Sequence, residues 1–263
     1  MIYITGDTHG EYDIKKLNTK SFPEQKDLTK KDYLIVCGDF GLLWDHLKSG
    51  ITIPSNPKDD HWQPNEIWLK DWYDNKNFTT LFVDGNHENF ARLNSYPVEE
   101  WHGGKVQKIT DSIIHLMRGQ VFEIDGYTIF TMGGANSHDR GPVTHTQDID
   151  KGVCWWPEEK ITKEDMIEAQ RNLAKHNYKV DFVITHDAPA PVRLRMRRFE
   201  NDDCAEALGK IMLMTDYKVW YAGHHHTDEV YGSVRLIYND IVKLGEIWTE
   251  EKMQSMLSGK EKI

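Results

Sequence analysis

Five short apolar runs of this sequence each end in a turn that carries aspartate, asparagine or histidine. The first begins at Met1 and stops at Gly6, with Asp7 and His9 just beyond it. Short apolar runs bounded by glycine are typical of buried strands that enter tight turns. A fold for this chain must therefore place polar groups at the ends of buried strands. The other four runs end at Asp39, at Asn86 and His87, at His186, and at His224, His225 and His226.

The order of these runs predicts a parallel sheet. The first three are separated by helix-like segments, and a strand–helix alternation favours parallel strands joined by right-handed crossovers. Sites in such sheets form at the carboxyl edge, so we expect the turns to converge on one crevice. Residues 113–117, 121–124 and 127–132 are predicted as consecutive antiparallel strands, the last two joined by a tight hairpin turn. They indicate a second, mixed sheet.

The chain contains no internal repeat, low-complexity tract or evident linker, and 263 residues suffice for one large domain. We predict a single domain over residues 1–263, with a surface insertion near residues 44–64. Residues 133–157 are predicted to form a long active-site loop. The charged tail from residue 249 onward has the composition of a surface helix.

The charge balance limits the partners that this chain can bind. A net charge of −10 argues against a broad basic surface for nucleic acid. No apolar run is long enough to span a membrane, and the first strand begins too early for a signal peptide, so we expect a cytoplasmic protein. The three cysteines are widely spaced and indicate neither a disulfide framework nor a thiolate zinc site.

The turn residues combine carboxylate, amide and imidazole donors. This mixture suits Mn, Fe or Zn better than Ca or Mg alone. A single one of these histidines could equally be a hydrogen-bonded turn residue, but a set of seven or eight at one edge exceeds what a lone tetrahedral ion needs. We therefore expect two divalent ions about 3.5–4 Å apart that share a carboxylate. Mn²⁺ is the first expectation, with Fe or Zn as alternatives.

The ordered motifs of the chain resemble those of the calcineurin-like metallophosphoesterases. The resemblance spans nearly the whole chain and implies an α/β (α+β) fold, a four-layer sandwich of two mixed β-sheets flanked by helices. It also implies two ligand groups, with Asp39 bridging both ions, and it makes His87 similar to the family's histidine that stabilises the transition state or protonates the leaving oxygen. His225 is expected to point elsewhere. The motifs are Asp7-x-His9, Gly38-Asp39, Gly85-Asn86-His87-Glu88, His186 and Gly223-His224-x-His226. The implied ligands are Asp7, His9 and His226 for one ion and Asn86, His186 and His224 for the other.

Charge counting shows how an acidic protein could hold an anionic ester. Two divalent ions bring four positive charges, while Asp7, Asp39 and a bridging hydroxide remove three, so the centre stays positive. No GxSxG nucleophile motif occurs in the sequence. We therefore expect direct, in-line attack by metal-bound hydroxide on a phosphomonoester or phosphodiester, with Asp39 and His87 as the catalytic side chains.

One motif departs from the protein phosphatase branch of this family. That branch continues as GDxVDRG, whereas here Leu42 and Leu43 stand in place of the aspartate and the phosphate-binding arginine. Another group must then contact the phosphate, or the substrate carries less negative charge to be neutralised, as a phosphodiester does. Arg140, His138 and Arg92 are the substrate-binding candidates, although for the loop residues an ordinary solvated loop is an equal alternative.

Three functions stay open at this point. The first is a dinuclear metal-dependent phosphohydrolase of small phosphoesters, nucleotides or phosphoproteins. The second is a phosphodiesterase or nuclease that acts on nucleotides or short nucleic acid. The third is a metal-binding interaction module without turnover, against which the complete set of ligand positions argues.

Overall fold

The computed structural model describes residues 1–43, 62, 64–137, 156–200 and 202–246. Most of the predicted insertion, most of the predicted long loop and the whole charged tail lie outside these described residues. Within the described part, no helix is long and apolar enough to cross a membrane.

A seven-stranded mixed sheet forms one half of the fold, with the strand order β13-β1-β2-β3-β6-β5-β4. The central strands β1, β2, β3 and β6 run parallel, while β13, β5 and β4 are antiparallel to their neighbours. The predicted parallel arrangement of the first half is thus confirmed. The strands are β1 Ile2–Thr5, β2 Tyr33–Val36, β3 Thr79–Phe82, β4 Val98–Trp101, β5 Gly104–Thr110, β6 Ile113–Leu116 and β13 Ile241–Lys243.

A six-stranded mixed sheet forms the other half, with the order β11-β12-β10-β9-β8-β7. Strands β8, β9, β10 and β12 are parallel, and β7 pairs with β8 in the predicted antiparallel hairpin. The strands are β7 Gln120–Ile124, β8 Tyr127–Met132, β9 Phe182–Thr185, β10 Val219–Ala222, β11 Glu229–Tyr231 and β12 Val234–Leu236.

The prediction of three consecutive antiparallel strands was wrong for the first of them. Strand β6 belongs to the seven-stranded sheet, where it lies parallel to β3 and antiparallel to β5. Strand pairing over long sequence distances depends on tertiary contacts, which a local apolar pattern does not encode.

Helices cover both outer faces. Helix α1 is Pro64–Asp74, α2 is Phe90–Leu93, α3 is Lys163–Lys175, α4 is Ala190–Arg195 and α5 is Asp203–Met214. Three short 3-10 helices of the described residues span Ile14–Leu17, Pro23–Lys26 and Pro157–Glu159. Helix α3 begins with a reciprocal capping box formed by Thr162 and Asp165.

Successive side chains of each strand face opposite sides of its sheet, so each sheet packs against the other sheet on one side and against helices on the other. In β2, Ile35 faces a core shared by the two sheets, while Leu34 and Val36 face a second core against α1 and the first 3-10 helix. In β10, Tyr221 faces the shared core, whereas Trp220 packs towards α3 and α5. Two sheets packed face to face with helices outside give the predicted four layers.

Candidate metal centre

The carboxyl ends of five strands bring the predicted donors together. Three overlapping groups of side chains each have ligand atoms within 4.8 Å of one another. Strands β1, β2 and β3 start and stop in register, as do β9 and β10, so their following turns meet at one edge. The groups are Asp7, His9 and His226; His9, Asp39 and His87; and Asp39, His186 and His224.

Asp39 lies at the middle of the cluster. Its Oδ2 is 3.3 Å from His9 Nε2, and its Oδ1 is 3.2 Å from His186 Nε2. Oδ1 also accepts the backbone N–H groups of Asn86 and His87, each at 2.8 Å. The two oxygens of one buried carboxylate therefore face different imidazoles, which is the arrangement a bridging ligand requires.

Hydrogen bonds at the far nitrogens orient both of these imidazoles. His9 Nδ1 lies 2.6 Å from Asp13 Oδ2, and His186 Nδ1 lies 2.8 Å from the Cys37 carbonyl oxygen. An acceptor at Nδ1 places the proton there and leaves the Nε2 lone pair free to coordinate an ion. Asp13 was not predicted from the sequence, although its i, i+4 spacing from His9 was an available signal.

The remaining predicted ligands lie beside these side chains. His226 Nε2 is 3.2 Å from Asp7 Oδ2, and the His224 backbone N–H donates to Asp7 Oδ1 at 3.0 Å. Asn86 Oδ1 is 3.1 Å from His186 Nε2. All seven predicted ligand residues and His87 thus lie in one cluster, with His87 Nε2 4.0 Å from Asp39 Oδ2.

Three glycines make room for these side chains. A Cβ atom on Gly38 would lie 2.2 Å from His186 Nδ1, one on Gly85 would lie 2.0 Å from Asp39 Oδ1, and one on Gly223 would lie 2.2 Å from Asp7 Oδ1. The glycines beside the donors are therefore required by close approach.

Four cluster residues have left-handed backbone conformations. The φ angles are 43° for His9, 45° for Asp39, 64° for His224 and 49° for His226. Non-glycine residues rarely adopt this region, and such strain concentrates at functional sites where surrounding structure enforces it.

The charges of the cluster suit a cation. Burial alone would raise the pKa of Asp39, but the charge and hydrogen bond of His186 outweigh it and hold the pKa well below its usual value. Burial opposes protonation of His186, yet Asp39 and Asp7 raise its pKa to about 10. Burial lowers the pKa of His224 to about 4. Ionised carboxylates beside imidazoles are the donor set that a divalent ion binds as it displaces protons.

Two further residues stabilise the turns and were not predicted. Glu88 accepts the backbone N–H groups of Phe40 and Gly41 at 2.7 and 3.2 Å, which anchors the turn that carries Asp39. Lys16 donates to the carbonyl oxygens of Gly6 and Asp7 at 3.1 and 2.6 Å. Its position gave no signal, because a lysine in a polar stretch ordinarily indicates a solvated surface.

His225 points away from the cluster, as predicted. Its Nε2 lies 2.9 Å from Asp187 Oδ1, and Arg193 Nη1 donates to Asp187 Oδ2 at 3.0 Å. Arg193 also pairs with Asp202, whose Oδ1 accepts the first N–H groups of α5. This chain of buried contacts ties the turns after β9 and β10 to two helices.

The predicted substrate contacts are not part of the cluster as described. Arg92 is only 2% exposed, and its Nη1 donates to Glu66 Oε1 at 2.6 Å. Its guanidinium is thus engaged in a buried ion pair. His138 and Arg140 lie outside the described residues.

A cavity of about 530 Å³ opens beside the cluster. Three cluster histidines, His9, His87 and His226, form part of its wall, and Leu42 and Leu69 are also among its lining residues. A space of this size next to convergent polar groups has the dimensions of a small-molecule site.

The family model for calcineurin-like phosphoesterases matches residues 1–228. Among solved structures, a protein of unknown function, AQ665 from Aquifex aeolicus, is 14% identical over 82% of this chain and 87% of that chain, with a TM-score of 0.34. No curated protein matches the chain. Since the family model covers most of its length, the chain belongs to the calcineurin-like phosphoesterases and is a metal-dependent phosphoester hydrolase.

Proposed function

We propose that the cluster holds two divalent ions and that the chain hydrolyses a phosphomonoester or phosphodiester by direct, in-line attack. The observation that carries this proposal is the position of Asp39, whose two oxygens face His9 and His186 at 3.3 and 3.2 Å. A carboxylate shared in this way is how two-ion sites hold their ions close together.

The donors fit this pair of ions. Asp7, His9 and His226 would hold one ion, and Asn86, His186 and His224 the other, with Asp39 common to both. Oxygen and imidazole nitrogen donors in this mixture favour Mn²⁺, with Fe or Zn as alternatives. When bound, the ions supply Lewis acidity towards the phosphate and a hydroxide at neutral pH.

The chain's own residues would orient the metal ligands and give a proton to the leaving oxygen. Asp13 and the Cys37 carbonyl fix the tautomers of His9 and His186 through contacts of 2.6 and 2.8 Å. His87 is partly exposed on the cavity wall, where it can give a proton to the leaving oxygen. Arg92 would stabilise the fold through its ion pair with Glu66 and would not contact the phosphate. The negative charge of the phosphate would be neutralised by the ions.

Metal stoichiometry and ester hydrolysis test the proposal together. We expect two equivalents of Mn²⁺ per chain and hydrolysis of a generic mono- or diester. Asp39→Asn should lower both metal occupancy and turnover, the latter by at least about 100-fold, since one shared carboxylate serves both ions. Glu100→Gln, an exposed carboxylate on edge strand β4, is the matched control and should change neither. Two bound ions without cleavage of either ester would favour the interaction module instead.

A further inference from the structure

A buried carboxylate precedes the turn that carries Asn86 and His87. Asp84 lies just past the end of β3, and its side chain is 2% exposed. Its Oδ1 is 3.0 Å from His115 Nε2, and its Oδ2 accepts the Nε–H of Arg118 at 2.8 Å. His115 belongs to β6, the parallel neighbour of β3, and Arg118 follows the end of that strand. Strand β6 and the residues after it thus supply two partners for one carboxylate beside the cluster.

Hydrogen bonds hold this turn at both of its ends. The backbone N–H groups of Asn86 and His87 donate to Asp39 Oδ1 at 2.8 Å each. At the start of the turn, the Asp84 carboxylate is held by its two partners, and the Asp84 carbonyl oxygen accepts the Gly134 N–H at 2.9 Å. Only two peptide units separate Asp84 from Asn86, so a displacement of one moves the other. The position of the turn therefore depends on Asp84 as well as on Asp39.

The guanidinium of Arg118 is fully engaged by the protein. Its Nε and Nη2 donate to Asp84 Oδ2. Nη1 donates to the Lys160 carbonyl oxygen at 2.7 Å, and Nη2 also donates to the Glu158 carbonyl oxygen at 2.9 Å. The side chain is 11% exposed. An arginine whose three nitrogens all donate to protein oxygens orients those groups, and it acts on the cluster through Asp84.

We propose that Asp84 is a positioning residue that fixes Asn86 and His87 for metal binding and proton transfer. Its own orientation comes from His115 and Arg118. The inference rests on the proposed function, because it takes Asn86 to be a ligand and His87 to be the proton donor. Both carboxylate oxygens of Asp84 already face side chains that follow from β6, so Asp84 would touch neither the ions nor the substrate.

Calorimetric titration with Mn²⁺ tests the effect of Asp84 on the ions. In the full-length Asp84→Asn variant, one of the two equivalents should bind about 10–100-fold more weakly, as expected when a partner that supports a ligand is lost. The other equivalent should keep its affinity, because its assigned ligands lie outside this turn. At saturating Mn²⁺, kcat should also fall by about 10–100-fold with KM unchanged, since His87 would act on the leaving oxygen.

Amide hydrogen exchange of the metal-free chain gives a readout that needs neither ions nor turnover. The N–H groups of Asn86 and His87 should exchange several-fold faster in Asp84→Asn, because the start of their turn is released. Asp181→Asn is the matched control, since Asp181 Oδ2 accepts the Thr128 N–H at 2.9 Å at the amino end of β9. The control should speed exchange at Thr128 and leave the turn and both Mn²⁺ affinities unchanged.

Arg118→Lys shows whether the arginine acts through Asp84. Lysine keeps the charge but lacks the planar fork that bonds Asp84 and the carbonyl oxygens together. The variant should weaken the same Mn²⁺ equivalent several-fold. Combined with Asp84→Asn it should add little further loss, because the two changes remove one shared contact. Additive losses would overturn the role assigned to Arg118.

The outcomes separate this inference from the proposed function. Unchanged Mn²⁺ affinities and unchanged exchange at Asn86 and His87 in Asp84→Asn would overturn the positioning role, even in a chain that binds two ions and cleaves esters. Equal weakening of both equivalents would indicate a general loss of structure and would also overturn it. Faster exchange at the turn with weakening of one ion, in a chain that cleaves no ester, would support the positioning of Asn86 and overturn the hydrolytic function.

Discussion

At the scale of single residues, the geometry of the cluster depends on hydrogen bonds that hold its side chains in one orientation. Asp39 is fixed by two backbone N–H groups, and His9 and His186 by acceptors at Nδ1. The residues that meet in the cluster could be predicted from sequence, because each follows an apolar run. Asp13 and Lys16 were missed, because their roles arise from contacts that only the folded turns create.

The role of His87 can be separated from metal binding. Its Nε2 lies 4.0 Å from Asp39 Oδ2, and its ring borders the cavity. We expect His87→Ala to retain two ions and to lower kcat about 10²–10⁴-fold, the usual contribution of a general acid. Metal analysis and initial rates check this. The assignment fails if the variant keeps full activity.

Gly85 should tolerate no side chain. A Cβ atom there would meet Asp39 Oδ1 at 2.0 Å and the Asp39 backbone N at 2.3 Å. We expect Gly85→Ala to displace Asp39 and to reduce Mn²⁺ affinity at least about tenfold, as loss of a supporting contact does in metal sites. Metal titration followed by calorimetry measures it.

Gly209→Ala is the control for this substitution. Gly209 lies within α5, and its nearest neighbour to an added Cβ is Pro191 Cδ at 3.4 Å, an ordinary contact. Alanine should stabilise the helix by about 0.5–1 kcal/mol and leave metal binding unchanged. If both variants bind Mn²⁺ equally well, the close-approach argument for Gly85 is wrong.

At the scale of elements, the buried strands that lead into the cluster were predictable, whereas the short strands β4, β11 and β13 were not. Strands β1, β2, β3, β9 and β10 are apolar runs that end at glycine or a metal-type donor, so their pattern is visible in the sequence. Strand β4 reads VEEW and is largely exposed, and β11 and β13 have three residues each. Such strands exist because a neighbour offers a free edge, which composition does not reveal.

The buried ion pairs of Arg193 should stabilise the turn that carries His186. Arg193 contacts Asp187 and Asp202, and all three side chains are at most 4% exposed. Arg193→Met would leave two buried carboxylates without their cation, which costs about 3–5 kcal/mol. Arg171→Met, at a side chain that is 60% exposed and pairs with Glu168, should cost less than about 0.5 kcal/mol. Denaturant unfolding measures the free energy of unfolding of both variants. Similar losses in the two would contradict a stabilising role for the buried ion pairs of Arg193.

At the scale of the whole molecule, the two sheets meet along the shared core, and the cluster lies across their edges. Asp7, Asp39 and Asn86 follow strands of the seven-stranded sheet, whereas His186, His224 and His226 follow strands of the other. An ion held by both sets, as proposed, would therefore link the two sheets. The sandwich of two sheets was predicted from the family resemblance. The local sequence pattern was not sufficient, because it placed β6 in the wrong sheet.

Metal removal should consequently lower the thermal stability of the fold. An ion at a free concentration of about 100 times its Kd stabilises the folded state by about 2.7 kcal/mol. This corresponds to a Tm change of about 5–10 °C for a chain of this size. We expect chelation to lower the Tm by this amount and Mn²⁺ to restore it, and Asp39→Asn should show a smaller response. A Tm indifferent to chelation in the wild-type protein would speak against ions that hold both sheets.

The contact between His226 and Asp7 joins residues 219 positions apart, at 3.2 Å between Nε2 and Oδ2. During translation, the amino-terminal carboxylate is made among the first residues and its imidazole partner only near the end. A nascent chain therefore cannot assemble the full donor set until residue 226 has been synthesised, so the proposed pair of ions could be held by all of its ligands only late in synthesis.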